Sequence, residues 1–269
     1  MPEKTIRDWA KEIRREIITM LRASASGHPG GSLSLTDILA VLYFEKMNID
    51  PKNPLWENRD RFILSKGHAA PALYATLALR GFFPQAELAN LRKLGSRLQG
   101  HPDMKKVPGV DMSTGSLGQG LSTACGMALA ALLDQRDYYI YAALGDGENQ
   151  EGQVWEAAML AAHYKLAHLI AFIDHNGLQI DGKTTDVMSP EPLEEKWAAF
   201  GWFVQRIDGH DPQAIAKAIE IAKAQKDRPS MIIADTVKGK GVSFMENIAG
   251  WHGQAPKAEE ADQALRELL

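Results

Sequence analysis

Residues 138–176 read YYIYAALGDGENQEGQVWEAAMLAAHYKLAHLIAFIDHN, and this stretch indicates the fold of the chain. The apolar run over 138–144 predicts a buried strand that ends at a Gly-Asp-Gly turn, and the run over 169–174 predicts a second strand. Residues 151–164 between them have helical composition, which predicts a βαβ unit. Because such crossovers are right-handed, both strands end at one edge of a parallel sheet, where open α/β folds bind ligands.

The polar residues that follow these two strands, Asp146 and Asn176, have the chemistry of a magnesium–diphosphate site. Mg²⁺ prefers oxygen ligands and commonly combines one or two protein oxygens with those of a phosphorylated ligand. Gly145 and Gly147 would let the backbone approach the phosphates, and a helix beginning near Glu151 would add its N-terminal dipole. A Gly-Asp-Gly turn alone is equally consistent with an aspartate that only caps a helix. Placement at two neighbouring strand ends favours the metal site.

Composition predicts an α/β fold with a parallel sheet flanked by helices on both faces, as one domain over residues 1–269. The chain is 45% hydrophobic and 24% charged. Its net charge of −4 provides no electrostatic basis for binding nucleic acid or acidic membranes. Apolar segments are too short to cross a bilayer, and the N-terminus does not resemble a signal peptide. The one cysteine, Cys125, excludes an internal disulfide and favours a cytoplasmic location.

Hydrophobic periodicity and turn residues predict the other elements. The predicted helices cover 6–20, 34–44, 71–79, 121–133 and 212–225, and further strands are predicted at 62–65, 202–207 and 230–236. The Ala- and Leu-rich segment 121–133 is expected to be buried on most sides. Alternation of strands with helices favours a parallel sheet covered on both faces.

The glycines that precede this helix raise the alternative of a dinucleotide-binding loop. Gly115, Gly118 and Gly120 have the spacing G-x-x-G-x-G rather than G-x-G-x-x-G, and no clear strand precedes them. The motif therefore disfavours a Rossmann-type nucleotide site.

A Gly-Asp-Gly turn followed about thirty residues later by Asn is the thiamine diphosphate motif, and its surroundings resemble transketolase. The resemblance extends in the family's order over about residues 7–256. Its strings are SGHPGGS at 26–32, DRFILSKGHAAP at 60–71, GHP at 100–102, TGSLGQGL at 114–121, GDGENQEGQVWEA at 145–157, TVKGKG at 236–241 and WHG at 251–253.

The resemblance implies thiamine diphosphate as cofactor, held with Mg²⁺ or with Ca²⁺ or Mn²⁺ in its place. It assigns the metal to Asp146, Asn176 and the backbone carbonyl of Leu178. It assigns cofactor contacts to Lys66, His68, Gly115, Ser116, Leu117, Gly147, Asn176, Lys238 and His252. Lys66 and Lys238 are expected to neutralise the diphosphate, a role that lysine fills as a point charge.

Four histidines in glycine- or proline-bounded loops fall on these motifs, and the resemblance makes them catalytic candidates. His28 and His101 are expected to face the substrate, and His68 and His252 are expected near the diphosphate and the reacting centre. A single loop histidine is more often exposed and idle, but imidazole can donate, accept and change charge near neutral pH. The remaining histidines, His163, His168, His175 and His210, are interpreted as structural.

Glu151 and Glu156 match glutamates that in transketolases lie near the subunit interface. From the sequence alone they are first-turn helix residues, which the helix dipole stabilises. One departure from the family pattern follows His28: many relatives have a hydroxyl residue there that reaches the cofactor, whereas this chain has Gly30 and Gly31 before Ser32.

The resemblance implies the N-terminal subunit of a split transketolase, which transfers a two-carbon ketol unit reversibly from a ketose phosphate to an aldose phosphate. A complete transketolase continues with pyrimidine-binding and C-terminal domains, whereas this sequence ends at Leu269. The expected partner is a separate C-terminal subunit, in an α2β2 assembly, that supplies the pyrimidine domain and its activating glutamate. Alternatives are a subunit of the deoxyxylulose-phosphate synthase type and a non-catalytic cofactor-binding subunit.

Overall fold

A computed structural model describes residues 4–269, and a parallel sheet lies at its centre. The strands are β1 (Arg61–Leu64), β2 (Ile140–Gly145), β3 (Leu169–His175), β4 (Leu178–Gln179), β5 (Gly182–Lys183), β6 (Phe203–Asp208) and β7 (Ser230–Asp235). Five of them form the sheet in the order β1-β2-β3-β7-β6, with every neighbouring pair parallel. The carboxyl ends of these strands therefore meet at one edge. Strands β4 and β5 form a separate antiparallel hairpin just beyond that edge.

Helices cover both faces of the sheet. They are α1 (Ile6–Ser24), α2 (Pro29–Val41), α3 (Ala70–Arg80), α4 (Gln119–Leu133), α5 (Gly152–His163), α6 (Thr184–Val187), α7 (Leu193–Ala199), α8 (Pro212–Lys223) and α9 (Ala258–Glu267). Alternate strand residues point to opposite faces: Tyr141 and Ala143 pack with α1, α2, α3, α8 and α9, whereas Ile140 and Ala142 pack with α4, α5 and α7. The predicted α/β class with both faces covered is confirmed.

The predicted strands and helices are all present, with shifted ends and two differences near the carboxyl edge. Helix α2 begins at Pro29 rather than at residue 34, because proline is compatible with the first helical turn and His28 before it is extended. All residues of α2 are buried, so no amphipathic pattern marks its start. The residues after Asp146 form a 3₁₀ turn, Gly147–Gln150, which the sequence analysis did not predict, and α5 follows at Gly152, within one residue of its predicted start.

Helix α4 is not buried on most sides, contrary to the sequence-based expectation. Cys125 and Ala128 face the core, but Gly126 and Ala130 are exposed, and Leu133 is 74% exposed. Small and apolar residues were interpreted as core, whereas half of them form an outer surface. The buried Cys125 thiol points to the Ala157 carbonyl at 3.6 Å, which supports its interpretation as a core residue.

Within residues 4–269, no helix combines the length and the apolar character needed to cross a membrane.

Candidate active site

A cavity of about 360 Å³ opens at the carboxyl edge of the sheet. The segments that follow β1, β2, β3 and β7 form its wall, together with the start of α2 and the loop before α4. The sequence-predicted residues that line it are His28, Lys66, His68, Gly115, Leu117, Asp146, Gly147, Glu151, Asn176, Leu178, Lys238 and His252. Ser116, His101 and Glu156 do not contribute to the wall. The sheet topology thus gathers most of the predicted site from seven separate segments of the chain.

Asp146 directly follows β2, and one oxygen of its buried carboxylate has no protein partner. Oδ2 accepts a hydrogen bond from the Gly177 amide at 2.6 Å, whereas Oδ1 has no hydrogen-bond partner among the described residues. Burial raises the pKa of Asp146, although His175 and the Gly177 amide act in the opposite direction. A buried carboxylate oxygen without a partner costs free energy unless a ligand satisfies it. Oδ1 therefore fits a ligand of a hard cation.

Two further oxygens lie on the loop that follows β3. The side-chain oxygen of Asn176 accepts from the Leu178 amide at 3.2 Å, and its amide nitrogen donates to Asp174. The Leu178 carbonyl accepts a long hydrogen bond of 3.4 Å from Lys238. Each oxygen retains a lone pair. Because residues 4–269 contain no group of three or more His, Cys, Asp or Glu side chains suited to a metal, an ion here depends on amide, carbonyl and ligand oxygens.

Lys66 already has a carboxylate partner inside the protein. Its ammonium donates to the carboxylate of Asp174 and, at 2.8 Å, to the Gly31 carbonyl, and the two charged side chains are 1% and 0% exposed. Burial would raise the pKa of Asp174, but Lys66 and the hydroxyls of Ser34 and Thr236 bring it below its usual value. The charge of Lys66 is therefore compensated locally. Its expected role in neutralising a diphosphate stays a prediction.

We expect Lys66→Met to destabilise the fold more than it weakens ligand binding. Removing one partner of a buried ion pair leaves Asp174 uncompensated, which costs about 3–5 kcal/mol of unfolding free energy. The Lys66→Met/Asp174→Asn double variant should recover part of this loss, because it removes both charges. Urea denaturation of the three proteins measures the effect. A Lys66→Met protein as stable as the parent would contradict the pairing.

Lys238 is buried at 2% exposure and forms no ion pair with a carboxylate in the described part of the chain. Its ammonium lies 3.4 Å from the Leu178 carbonyl and 3.0 Å from Nδ1 of His252. Burial, followed by the charge of Lys66, lowers the pKa of Lys238 to about 8. An anion placed in the cavity would stabilise its charged form and raise this pKa again. Lys238 is thus the better candidate of the two lysines for neutralising a diphosphate.

The four candidate histidines form one cluster, in which His28, His68 and His252 line the cavity and His101 lies beside His28. The ring centroid of His28 lies 5.4 Å from that of His68, 5.6 Å from that of His252 and 6.5 Å from that of His101. Burial lowers all four pKa values: to about 4 for His28, to about 3 for His252 and well below the usual value for His68, while that of His101 falls less. The rings are therefore neutral near pH 7. They act first as hydrogen-bonding groups.

The carboxylate of Glu148 connects three segments of the site through hydrogen bonds, a role that the sequence analysis did not predict. Its carboxylate accepts from the Ser65 hydroxyl at 2.5 Å and from the amides of Gly118 and Gly145 at 2.9 and 2.8 Å. It thereby ties the segments after β1 and β2 to the start of α4. The role of Asp174 was not predicted either. In both cases an acidic residue lies within or beside an apolar strand, and this pattern indicates that the buried carboxylate needs a partner.

The glycine pair before Ser32 has a steric reason. A Cβ on Gly30 would lie 2.9 Å from the Trp251 carbonyl, so a hydroxyl residue does not fit there without backbone movement. The Ser32 hydroxyl donates to the His28 carbonyl at 2.6 Å. Gly115, at φ +150°, makes room for the His101 ring, which a Cβ would approach to 2.9 Å.

Of the two interface candidates, Glu151 lines the cavity and Glu156 lies outside its wall. Glu151 and Glu156 are both exposed, and Glu156 lies on α5 close in sequence to Met159 and Leu160, which are 60% and 41% exposed. Their role in an interface stays a prediction.

Comparison with known proteins identifies the family that the sequence motifs resemble. Residues 6–268 match the family described as Transketolase, thiamine diphosphate binding domain. The chain is 51% identical to the 6-deoxy-6-sulfo-D-fructose transketolase subunit SqwG of Clostridium sp. (strain MSTE9), over 96% of this chain and 94% of that protein. It is 42% identical to an apulose-4-phosphate transketolase subunit of Phocaeicola vulgatus, over 100% of this chain and 95% of that protein.

The crystal structure of transketolase from Campylobacter jejuni superposes with a TM-score of 0.93 at 36% identity, over 100% of this chain and 43% of that one. The chain thus spans less than half the length of the transketolase structure that it matches, but nearly all of the two subunit proteins. Thiamine diphosphate binding is the property that the matched family description carries. The chain belongs to the transketolase family of transferases, and it matches the thiamine diphosphate binding domain of that family.

Proposed function

We propose that the cavity holds thiamine diphosphate through a divalent cation, most simply Mg²⁺ or else Ca²⁺ or Mn²⁺. The buried Oδ1 of Asp146, which lacks a protein partner, is the observation that carries this proposal. Asp146, Asn176 and the Leu178 carbonyl would supply three oxygens, and diphosphate oxygens would complete the shell. Lys238 would offset the remaining negative charge. Calorimetric titration with thiamine diphosphate, with and without Mg²⁺, tests the assignment.

The rest of the wall would orient the organic part of the cofactor and exclude water. Gly115 and Leu117 of the wall are proposed contacts, as are Gly147 and His68, and Ser116 between the first two is proposed to reach the cofactor as well. Leu117 is 36% exposed, so its side chain is available for contact with a ligand. When bound, the cofactor supplies the electron sink that makes two-carbon transfer possible.

His28 and His101 are proposed to bind the oxygens of the sugar, and His252 with His68 to lie nearer the reacting centre. The neutral rings can donate to a carbonyl oxygen or accept from a hydroxyl without a change of charge. Because they are fixed before the substrate arrives, such hydrogen bonds lower the barrier by orientation and by stabilising developing charge.

We infer a reversible ketol transfer from a ketose to an aldose, carried out together with a separate C-terminal subunit. Two of the similar proteins are named as subunits of transketolases, which supports a partner chain. An α2β2 assembly in the cytoplasm is the proposed state. The names of the similar proteins, which are both transketolase subunits, support ketol transfer over the decarboxylating reaction of deoxyxylulose-phosphate synthases and over a non-catalytic role.

The proposed donor is a ketose with an anionic group at its far end. The similar proteins are named for a sulfonated fructose and for a phosphorylated apulose, both of which fit this description. Assays of the assembled enzyme with 6-deoxy-6-sulfofructose, apulose 4-phosphate and xylulose 5-phosphate would distinguish them. Turnover of pyruvate in place of all three would support the decarboxylating alternative.

We expect His28→Ala and His101→Ala to lower kcat of the assembled enzyme by about 10²–10³-fold, the range for loss of a fixed hydrogen-bond donor that stabilises developing charge. Cofactor affinity should change much less, because both side chains are expected to face the sugar. Parallel kinetics and cofactor titration separate the two effects, with His163→Ala on the exposed end of α5 as a control. Equal losses in both measurements would place these histidines against the cofactor instead.

A further inference from the structure

A cation without an ion-pair partner lies behind His28. Within residues 4–269, Arg92 makes no ion pair: Nη1 donates to the Ser26 hydroxyl at 3.0 Å, and the buried Nε has no hydrogen-bond partner. Its Nη2 lies 3.4 Å from Nδ1 of His28. An arginine side chain has donors only and stays charged, so it can face a ring nitrogen only if that nitrogen carries no proton.

The loop over residues 92–100 fixes the position of the Arg92 guanidinium. The backbone of Arg92 is left-handed at φ +59°, and its amide donates to the Leu98 carbonyl at 2.8 Å, which closes the loop between them. A Cβ on Gly100 would lie 2.8 Å from Nη2 and 2.9 Å from Cζ of Arg92. Glycine at position 100 therefore leaves the space that the guanidinium fills.

The opposite edge of the His28 ring is free to act on a ligand. Nε2 makes no hydrogen bond to any described residue, and it lies 3.5 Å from the position that a Cβ on Gly253 would take, beside His252 in the cavity wall. If Nδ1 is the unprotonated nitrogen, the single proton of a neutral ring resides on Nε2. The ring then presents one N–H donor to the cavity.

We propose that Arg92 is a positioning residue, whose guanidinium holds His28 as the neutral tautomer with its proton on Nε2. His28 is then a fixed donor to a substrate carbonyl or hydroxyl oxygen, and it does not abstract a proton through Nε2. This consequence for catalysis rests on the proposed function. The tautomer itself is a property of the protein, which can be measured without substrate, cofactor or partner.

The test is NMR of the chain labelled with ¹⁵N-histidine, using spectra that correlate ring nitrogens with carbon-bound ring protons. His28→Gln assigns the His28 signals. In the parent protein at neutral pH, we expect Nδ1 of His28 to have the shift of an unprotonated nitrogen and Nε2 that of a protonated one. In Arg92→Met the two shifts should converge, because both tautomers become populated. The pKa of His28 should also rise, with burial, His101 and Lys238 still holding it down.

Two further variants separate charge from position. Gly100→Ala keeps the arginine but displaces its flexible end, so it should produce the same convergence, and it decides the matter if Arg92→Met does not fold. Lys93→Met removes an exposed charge from the same loop and should leave the His28 signals unchanged. The His252 signals are an internal control in each spectrum. A parent His28 protonated on Nδ1, or His28 shifts that are unaltered in both Arg92→Met and Gly100→Ala, would overturn the proposal even if ketol transfer is confirmed.

Discussion

Replacing Asp146 with alanine is expected to weaken magnesium-dependent binding of thiamine diphosphate at least about 100-fold, the upper range for loss of a group that supports a metal site. Oδ1 of Asp146 is buried without a protein partner, and it is the proposed anionic ligand of the cation. Its removal leaves only neutral protein oxygens for the cation, so the cation that would link the diphosphate to the protein binds more weakly. Calorimetry at a fixed Mg²⁺ concentration measures the loss, and Asn176→Ala should act in the same direction.

Stability measurements exclude misfolding as the cause of such a loss. Burial raises the pKa of Asp146, so the charged carboxylate is unfavourable there unless a cation binds it. Asp146→Asn keeps the shape and can still accept from the Gly177 amide. We therefore expect it to unfold at the same temperature as the parent or higher, yet to bind the cofactor poorly. Unchanged cofactor affinity in both Asp146 variants would refute the metal assignment.

The sheet could be predicted from sequence because its strands are nearly continuous apolar runs. The runs at 138–144 and 169–174 are buried on both faces in β2 and β3, as parallel strands between helical layers are. Their carboxyl ends bring Asp146 and Asn176 to one cavity wall as expected. The start of α2 could not be predicted as well, because this helix is buried on all sides and its sequence has no hydrophobic periodicity that marks the first turn.

Pairing between distant side chains was the part that sequence could not provide. A lysine in a glycine-rich motif has the same appearance whether it faces a ligand, as proposed for Lys238, or a buried carboxylate, as Lys66 faces Asp174. Only the fold distinguishes them. Arg92 carries no signal in sequence at all, because its relation to His28 depends on a loop closed by contacts between residues 92 and 98.

The exposure of α4 was also misjudged, and the apolar residues exposed on α4 and α5 support a partner. Leu132 and Leu133 at the end of α4 are 58% and 74% exposed, and Met159 on α5 is 60% exposed. Apolar side chains grouped on one side of a protein commonly mark an association surface. Glu156 lies one helical turn before Met159 on the exposed face of α5, which supports its proposed interface role.

A polypeptide of these 269 residues is expected to be inactive alone and to gain two-carbon transfer when the C-terminal subunit is added. Residues 4–269 contain one five-stranded parallel sheet and one wall of the proposed cofactor site, where Asp146 and Lys238 are proposed to hold the diphosphate end. The matched transketolase chain from Campylobacter jejuni is more than twice as long, because this chain covers 43% of it. The group that activates the aminopyrimidine is proposed to lie on the added subunit.

Thermodynamic linkage between partner and cofactor predicts the direction in which both binding affinities change, and these affinities can be measured without an activity assay. If the partner completes the cofactor site, then partner and cofactor must each increase the affinity of the other by the same factor. We therefore expect tighter thiamine diphosphate binding by the mixture than by this chain, and tighter subunit association when the cofactor is present. Glu156→Ala and Met159→Ser should weaken association while leaving the affinity of the isolated chain for the cofactor unchanged. Substantial ketol transfer by the purified 269-residue polypeptide alone would contradict the two-subunit proposal, because its own residues would then suffice.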